Sequence, residues 1–325
     1  MGRALEAGPF GPVAEDLDRF EARIRDSIAA DGPPLAETMG ALFEAGGKRL
    51  RPALVLLAGR LGRPSEALFH AAAAVELVHA ATLVHDDVID NSAVRRGRPT
   101  VAAALGEAAA IVVGDHYFAK AYQQAALTDD PAVVGAIAGA VMMICRGELA
   151  QNRARFRYRP SLAEYRDRIE AKTAALLAAS AWAGGRLAGL AGDRQEALRL
   201  YGIELGLAFQ IADDVLDYTA SAEQIGKPVG ADLRQGTITL PLMYALRETP
   251  GPAARIRDLL ARAPMGEEDY DEVVALVRDS KAIALAERHA HEFADRARSE
   301  LSVFPQSEPR SVLEKVCDYV VERRL

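Results

Sequence analysis

Cysteine and aromatic side chains are scarce in this 325-residue chain, which has two cysteines, one tryptophan and an aromatic share of 6%. Cys145 and Cys317 are far apart and match no Cys-x-x-Cys or Cys/His ligand spacing, which excludes a disulfide framework and a structural zinc site. No unbroken apolar run of roughly 18 residues, the length of a membrane span, occurs, and MGRALEAGPFGPVAEDL lacks the apolar core of a secretory leader. A cytoplasmic protein with no transmembrane segment is expected. Positive charge is in short supply as well. The formal net charge of -7 would repel a phosphate backbone and excludes duplex nucleic acid as the main partner. Any anionic ligand therefore needs a local cluster of cations.

The chain is 50% apolar and 26% charged, enough to bury a sizeable core. Alanine and leucine dominate, and apolar residues recur at three- and four-residue spacing, which predicts an all-α fold. Breaks are expected at Asp31 to Pro34, Gly62 to Pro64, Gly97 to Pro99, Thr128 to Pro131, Arg159-Pro160, Gly226 to Pro228 and Pro250 to Pro252. None is long enough for an interdomain linker, and no fixed repeat occurs. One domain over residues 1–325 is expected, with a flexible tail of about ten N-terminal residues.

The segment SLAEYRDRIEAKTAALLAASAWAGG reads as one helix, opened by a Ser161/Glu164 capping box and stopped by Gly184-Gly185. Tyr165, Ile169, Leu176 and Leu177 form its apolar seam. Lys172 and Thr173 fall on the same face, where a lysine needs an anion, a carboxylate partner or a route to the rim.

HAATLVHDDVID carries Asp86, Asp87 and Asp90 inside an apolar helical run. Asp86 and Asp90 lie one turn apart, about 6 Å along the axis, so their repulsion calls for a cation. Mg²⁺ favours hard oxygen ligands and typically takes one or two carboxylates, with waters and substrate phosphates completing its shell. The alternative is a solvated acidic helix end. FQIADDVLDY repeats the arrangement at Asp213, Asp214 and Asp217, which with Gln210 make a polar stripe at helical spacing. Two such stripes suit several metal ions around one diphosphate and a chemistry of ionisation. GGKRLRP and NSAVRRGRPT add Lys48, Arg51, Arg95 and Arg96 as phosphate-type cations. RARFRYRP alternates Arg153, Arg155, Arg157 and Arg159 with Phe156 and Tyr158. It is read as a solvated connector, with contact to anionic membrane lipid left open.

Two Asp-Asp-x-x-Asp motifs, with GGKRLRP before them, Lys172-Thr173 between and GKPVGADL after, resemble the trans-polyprenyl diphosphate synthases over roughly residues 40–245. The resemblance implies an all-α isoprenoid-synthase fold with helices around a deep central cavity, usually as a homodimer. It implies Mg²⁺ on Asp86, Asp90 and Asp213, with Asp87, Asp214 and Asp217 completing the clusters. Arg95, Lys172, Thr173, Gln210 and Lys227 would hold the allylic diphosphate, and Lys48, Arg51, His79 and Arg96 the isopentenyl diphosphate. The implied reaction is loss of pyrophosphate, attack by the isopentenyl double bond and loss of a proton. In DLRQGTIT, Thr237 stands where many relatives have a lysine. Small side chains at Val78, Ala81 and Thr82 resemble medium- and long-chain members and imply an open channel and an all-trans product of about C30 to C50, at roughly one isoprene unit per 5.4 Å turn. Alternatives are a farnesyl or geranylgeranyl diphosphate synthase, a class I terpene cyclase and a regulatory subunit of a heteromeric synthase.

Overall fold

The computed structural model describes residues 10–158, 161–220, 229–262 and 264–322. The helices are α1 (Ala14–Ala29), α2 (Leu35–Glu44), α3 (Leu50–Gly59), α4 (Ala67–Ile89), α5 (Val101–Leu105), α6 (Glu107–Ala126), α7 (Pro131–Ala154), α8 (Leu162–Ile169), α9 (Ala175–Leu187) and α10 (Gly192–Thr219). After them come α11 (Ala231–Arg234), α12 (Leu240–Ala245), α13 (Ala253–Leu260), α14 (Glu267–Arg278), α15 (Ala282–Glu300) and α16 (Glu308–Val321). Two-residue strands β1 (Val94–Arg95) and β2 (Arg98–Pro99) form the one hairpin among the described residues. The all-α expectation holds apart from this hairpin. Arg96 and Gly97 at its tip both have positive φ, 50° and 74°, as a two-residue turn matched to strand twist requires. The breaks expected at Arg159-Pro160 and Gly226 to Pro228, the N-terminal tail and Lys227 lie largely or wholly outside the described residues.

Contacts divide the chain into two compact units, and the chain passes between them within α7, α9, α10, α15 and α16. The first comprises residues 1–142, 176–202 and 300–316. In it α4 packs on α3 and α6. From Leu68 to Ala81 nearly every α4 side chain is buried, so this stretch has no solvated face and behaves as a core helix. Each fully buried Leu or Val contributes about 1.5–3 kcal/mol of transfer free energy.

Gly184 and Gly185 do not end their helix, which runs on to Leu187. A Cβ at Gly184 would lie 2.2 Å from the Val55 carbonyl oxygen, so the residue is small because α3 and α9 touch there. Close packing, not capping, explains that glycine.

The second unit comprises residues 143–175, 203–299 and 317–325. Its apolar cluster joins Tyr165 and Ile169 of α8 to Leu207, Ile211 and Val215 of α10 and to Leu242 and Met243 of α12. The Ser161/Glu164 capping box forms as expected, with Glu164 N–H donating to Ser161 Oγ over 3.1 Å and Ser161 N–H to Glu164 Oε2 over 2.7 Å. The helix read as continuous is broken by a π turn, Glu170–Ala174, which contains Lys172 and Thr173. One extra residue per turn there shifts the side chains that follow, a device frequent at functional sites.

Among the described residues two helices, α4 and α7, reach the length and mean hydropathy of a membrane span although neither is an unbroken apolar run. The α4 window is 72% buried inside the protein, and the α7 window 28%. Core packing accounts for the first. The second leaves Met142, Met143 and Leu149 exposed.

Candidate active site

The first acidic motif ends α4. Asp87 is 4% exposed, while Asp86 and Asp90 are only half-buried. The chain turns back at Asn91, whose φ is 50°, and the hairpin returns Arg95 to Asp87. Arg95 Nε donates to Asp87 Oδ1 and Oδ2 over 2.9 and 3.0 Å, and its Nη2 lies 2.8 Å from Oδ1. A fork on a carboxylate is among the stronger ion-pair geometries, and burial makes it costly to break. Arg95, read as a diphosphate ligand, is thus also the group that holds the middle acid.

His79, Thr82, Asp86 and Asp90 stay partly accessible along one face of α4. Val78 and Ala81 are fully buried. At about 100° per residue Ala81 lies far round the helix from Asp86. Of the three residues expected to line a channel wall, only Thr82 keeps accessible surface, and its hydroxyl donates to the His79 carbonyl over 2.7 Å.

Burial holds the His79 imidazole well below the usual histidine range, and the charges of Arg51, Arg96, Arg95 and Arg49 push it the same way. It is therefore neutral at pH 7. The Arg96 guanidinium is also pushed down, first by desolvation and then by Arg49 and Arg95. So many like charges around one imidazole make a place for an anion. Lys48 lies in the non-helical approach to α3, and Arg51 is in its first turn.

Arg49 escaped the sequence reading. It is nearly buried and binds Glu21 over 3.1 Å, Glu76 over 3.0 Å and the Phe43 carbonyl over 3.0 Å. Its φ of 47° begins α3. Nothing in GGKRLRP separates this structural arginine from its neighbours.

The second motif lies on α10. Asp213 is exposed and Asp214 is 2% exposed. Asp214 accepts from Tyr165 Oη over 2.7 Å and from Gln210 Nε2 over 2.9 Å. Thr173 Oγ1 donates to Gln210 Oε1 over 2.6 Å, so the π turn orients the glutamine that orients the acid. Asp217 accepts the backbone N–H groups of Ala231 and Asp232 over 3.1 and 3.3 Å. Burial, and after it the charge of Asp232, raises the carboxyls of both Asp214 and Asp217. Such groups gain most from a nearby cation.

Lys172 pairs with Glu148 at 2.5 Å. Gly147 allows this, since a Cβ there would sit 3.1 Å from the Lys172 backbone nitrogen. Glu148 and Asp232 were not singled out from sequence, although Asp232 lies inside GKPVGADL, and Tyr165 was read only as part of an apolar seam. Thr237 is buried, its backbone N–H given to the Asp232 carbonyl over 2.8 Å.

Among the described residues no three His, Cys, Asp or Glu side chains gather closely enough to hold a metal on their own. The donors that both motifs offer are carboxylate oxygens, the ligand type that hard divalent cations take.

The fold is that of solved polyprenyl diphosphate synthases. It matches a polyprenyl synthase from Caulobacter crescentus, complexed with calcium and isoprenyl diphosphate, at TM-score 0.92 and 37% identity, covering 98% of each chain. It matches a decaprenyl diphosphate synthase from Rhodobacter capsulatus at TM-score 0.88 and 36% identity, covering 96% of this chain and 97% of that one. A heptaprenyl diphosphate synthase component 2 from Geobacillus stearothermophilus is 38% identical over 315 residues, 96% of this chain and 97% of the relative. The polyprenyl synthetase family model matches residues 33–277. The all-α isoprenoid-synthase fold defines the class. The chain belongs to the polyprenyl synthetase family and is a prenyltransferase that condenses isopentenyl diphosphate with an allylic diphosphate.

Proposed function

We propose that the chain uses Mg²⁺ to make an all-trans polyprenyl diphosphate of about C30 to C50, at roughly one isoprene unit per 5.4 Å of helix. One observation carries the metal assignment. In both aspartate motifs the middle acid, Asp87 or Asp214, is buried and pinned, while Asp86, Asp90 and Asp213 keep accessible carboxylate surface. Those three would hold Mg²⁺. Asp87, Asp214 and Asp217 stiffen the helices and complete the negative field. The metal, when bound, neutralises charge on the departing pyrophosphate.

Arg95, Lys172, Thr173, Gln210 and Lys227 bind the allylic diphosphate, and Lys48, Arg51, Arg96 and neutral His79 bind isopentenyl diphosphate. The allylic C1–O bond breaks with its electron pair on pyrophosphate. The isopentenyl double bond attacks C1, and the released C2 proton passes to a pyrophosphate oxygen. Lys172, Thr173 and Gln210 hold the leaving group, and the oxygens of the last two can face the cation. The relatives named for heptaprenyl and decaprenyl diphosphate support the product range, as does the small Thr82. The single family match over 33–277 supports reading the whole chain as one synthase domain.

Exposed Ile111 and Val112 of α6 and Met142 and Leu149 of α7 support a homodimer. The word component in the Geobacillus relative's name favours a second reading, a heteromeric synthase. Cys145 and Cys317 form no disulfide, in keeping with a reducing cytoplasm.

The purified chain, given labelled isopentenyl diphosphate, Mg²⁺ and farnesyl diphosphate, should yield polyprenyl diphosphates and run as a dimer in light scattering. A hydrocarbon formed without consuming isopentenyl diphosphate would mean a cyclase. An inactive monomer would favour the heteromer.

A further inference from the structure

A cavity of about 1350 Å³ lies wholly within the second unit, walled by α7, α8, α12 and α13 and by the residues that follow α7. It exceeds the roughly 300–1,000 Å³ of usual small-ligand sites. Arg146, Arg153, Arg157, Arg168, Arg247 and Arg257 line it against two carboxylates, Glu164 and Asp167. In a chain of net charge -7 this is a strong local reversal.

The arginines are not used up by neighbours. Arg168 Nη2 donates to the Ile238 carbonyl over 2.7 Å, and Arg257 Nη2 to the Leu246 carbonyl over 2.5 Å. Arg146, Arg153, Arg157 and Arg247 are exposed and pair with no carboxylate among the described residues. Glu164 is engaged at the Ser161 cap, so Asp167 alone remains to offset them.

The rest of the lining is apolar. Met243, Leu246, Leu260, Ala150 and Ala154 of α7, Ala171 of the π turn and Ala261 supply it, and the Tyr165 hydroxyl is already given to Asp214. A base or sugar would leave its polar edges unpaired against such walls. A hydrocarbon chain would not. Burial raises the Tyr158 phenol, which thus keeps its proton for a head-group oxygen. The arginine string is exposed at Arg153 and Arg157, as expected of a solvated connector, but its backbone is anchored: Phe156, at φ 62°, donates its N–H to the Gly236 carbonyl over 2.8 Å, and its ring fills the space of a Gly236 side chain.

We propose that this cavity binds an amphiphile with a phosphate head and a hydrocarbon tail, the head on Arg146, Arg153, Arg157 and Arg247. Planar guanidinium forks suit phosphate oxygens in pairs. Two sources share this chemistry, a prenyl phosphate and a lipid with an acyl chain. The inference rests on the cavity alone, and its failure would leave the prenyltransferase assignment intact.

Calorimetric titration of the full chain, with Mg²⁺ and pyrophosphate saturating, tests it. Oleoyl lysophosphatidic acid and geranylgeranyl monophosphate are the probes, and oleoyl lysophosphatidylcholine and inorganic phosphate the controls. One-to-one binding is expected, weakened about tenfold or more by Arg153→Glu with Arg157→Glu. Arg153→Lys with Arg157→Lys should retain most of the affinity, and basal turnover should be unchanged in both variants. Tighter binding of one probe identifies the source. Equal affinity in wild type and the glutamate variant would overturn the proposal. So would equal binding of the choline lipid, or phosphate binding as tightly as the amphiphiles. Should the glutamate variant lose its native melting transition, Arg247→Ala serves in its place and must weaken binding severalfold.

Discussion

The Tyr165 hydroxyl donates to the Asp214 carboxylate over 2.7 Å where both side chains are buried. Removing the donor leaves a buried acceptor with Gln210 as its remaining side-chain donor. Tyr165→Phe is expected to cost about 1–3 kcal/mol in urea unfolding, because desolvation of the carboxylate is no longer offset. An unchanged midpoint would mean that the phenol does not support Asp214.

The exposed and buried acids should separate in experiment. Asp213→Ala and Asp86→Ala are expected to lower turnover by about 10²–10³-fold, as for loss of one electrostatic stabiliser, with little change in Tm. Asp214→Ala should instead lower the Tm, since it strands Tyr165 and Gln210. Near-normal turnover of Asp213→Ala at saturating Mg²⁺ would remove that residue from the metal site.

Arg95→Ala should unfold the protein more easily as well as weaken substrate. Its guanidinium is the fork on buried Asp87, and breaking a buried pair from one side costs about 3–5 kcal/mol. The double variant Arg95→Ala with Asp87→Ala should recover much of that loss. A purely diphosphate-binding arginine would change the allylic KM and leave the denaturation curve alone.

His79 should mark the acid side of stability. Its folded pKa lies below its unfolded value near 6.5, so the unfolded chain binds the extra proton. This contribution is complete above the unfolded pKa and is lost as the pH falls through 6.5 towards the folded value. The slope is at most about 1.4 kcal/mol per pH unit. Tm profiles from pH 5 to 7.5 should be flatter for His79→Gln than for wild type, and diphosphate, by neutralising the surrounding arginines, should narrow the gap.

Product length should respond at Thr82 more cleanly than at Ala81. Thr82→Phe is expected to shift the chromatographic distribution to shorter chains while the first condensation persists. Ala81→Phe has no free volume to enter and should cost about 1–3 kcal/mol by overpacking. An unaltered distribution in Thr82→Phe would take length control away from this face of α4.

Much of this site was legible because its chemistry is local in sequence. Asp86 with Asp90 and Gln210 with Asp214 sit at helical spacing, so their common faces follow from 3.6 residues per turn. What periodicity cannot give is which acid of each motif faces inward. That depends on Arg95 arriving from a hairpin and on Tyr165 arriving from another helix. Gly184 was misread for the same reason: its smallness answers to Val55, far away in sequence, and not to its own helix end. Arg49 and Arg51 look alike in GGKRLRP and differ only in what surrounds them.

The π turn at Glu170–Ala174 also sets the phase of the helix that carries Tyr165. It acts as a single inserted residue, and excising Ala171 would restore an unbroken α-helical pitch. Everything on its N-terminal side would then rotate by about 100° about the axis relative to Thr173. Tyr165 would swing off Asp214, and Arg168 off the Ile238 carbonyl. A one-residue deletion, harmless to helix propensity, would thus put the cavity wall and the acidic stripe out of register with each other.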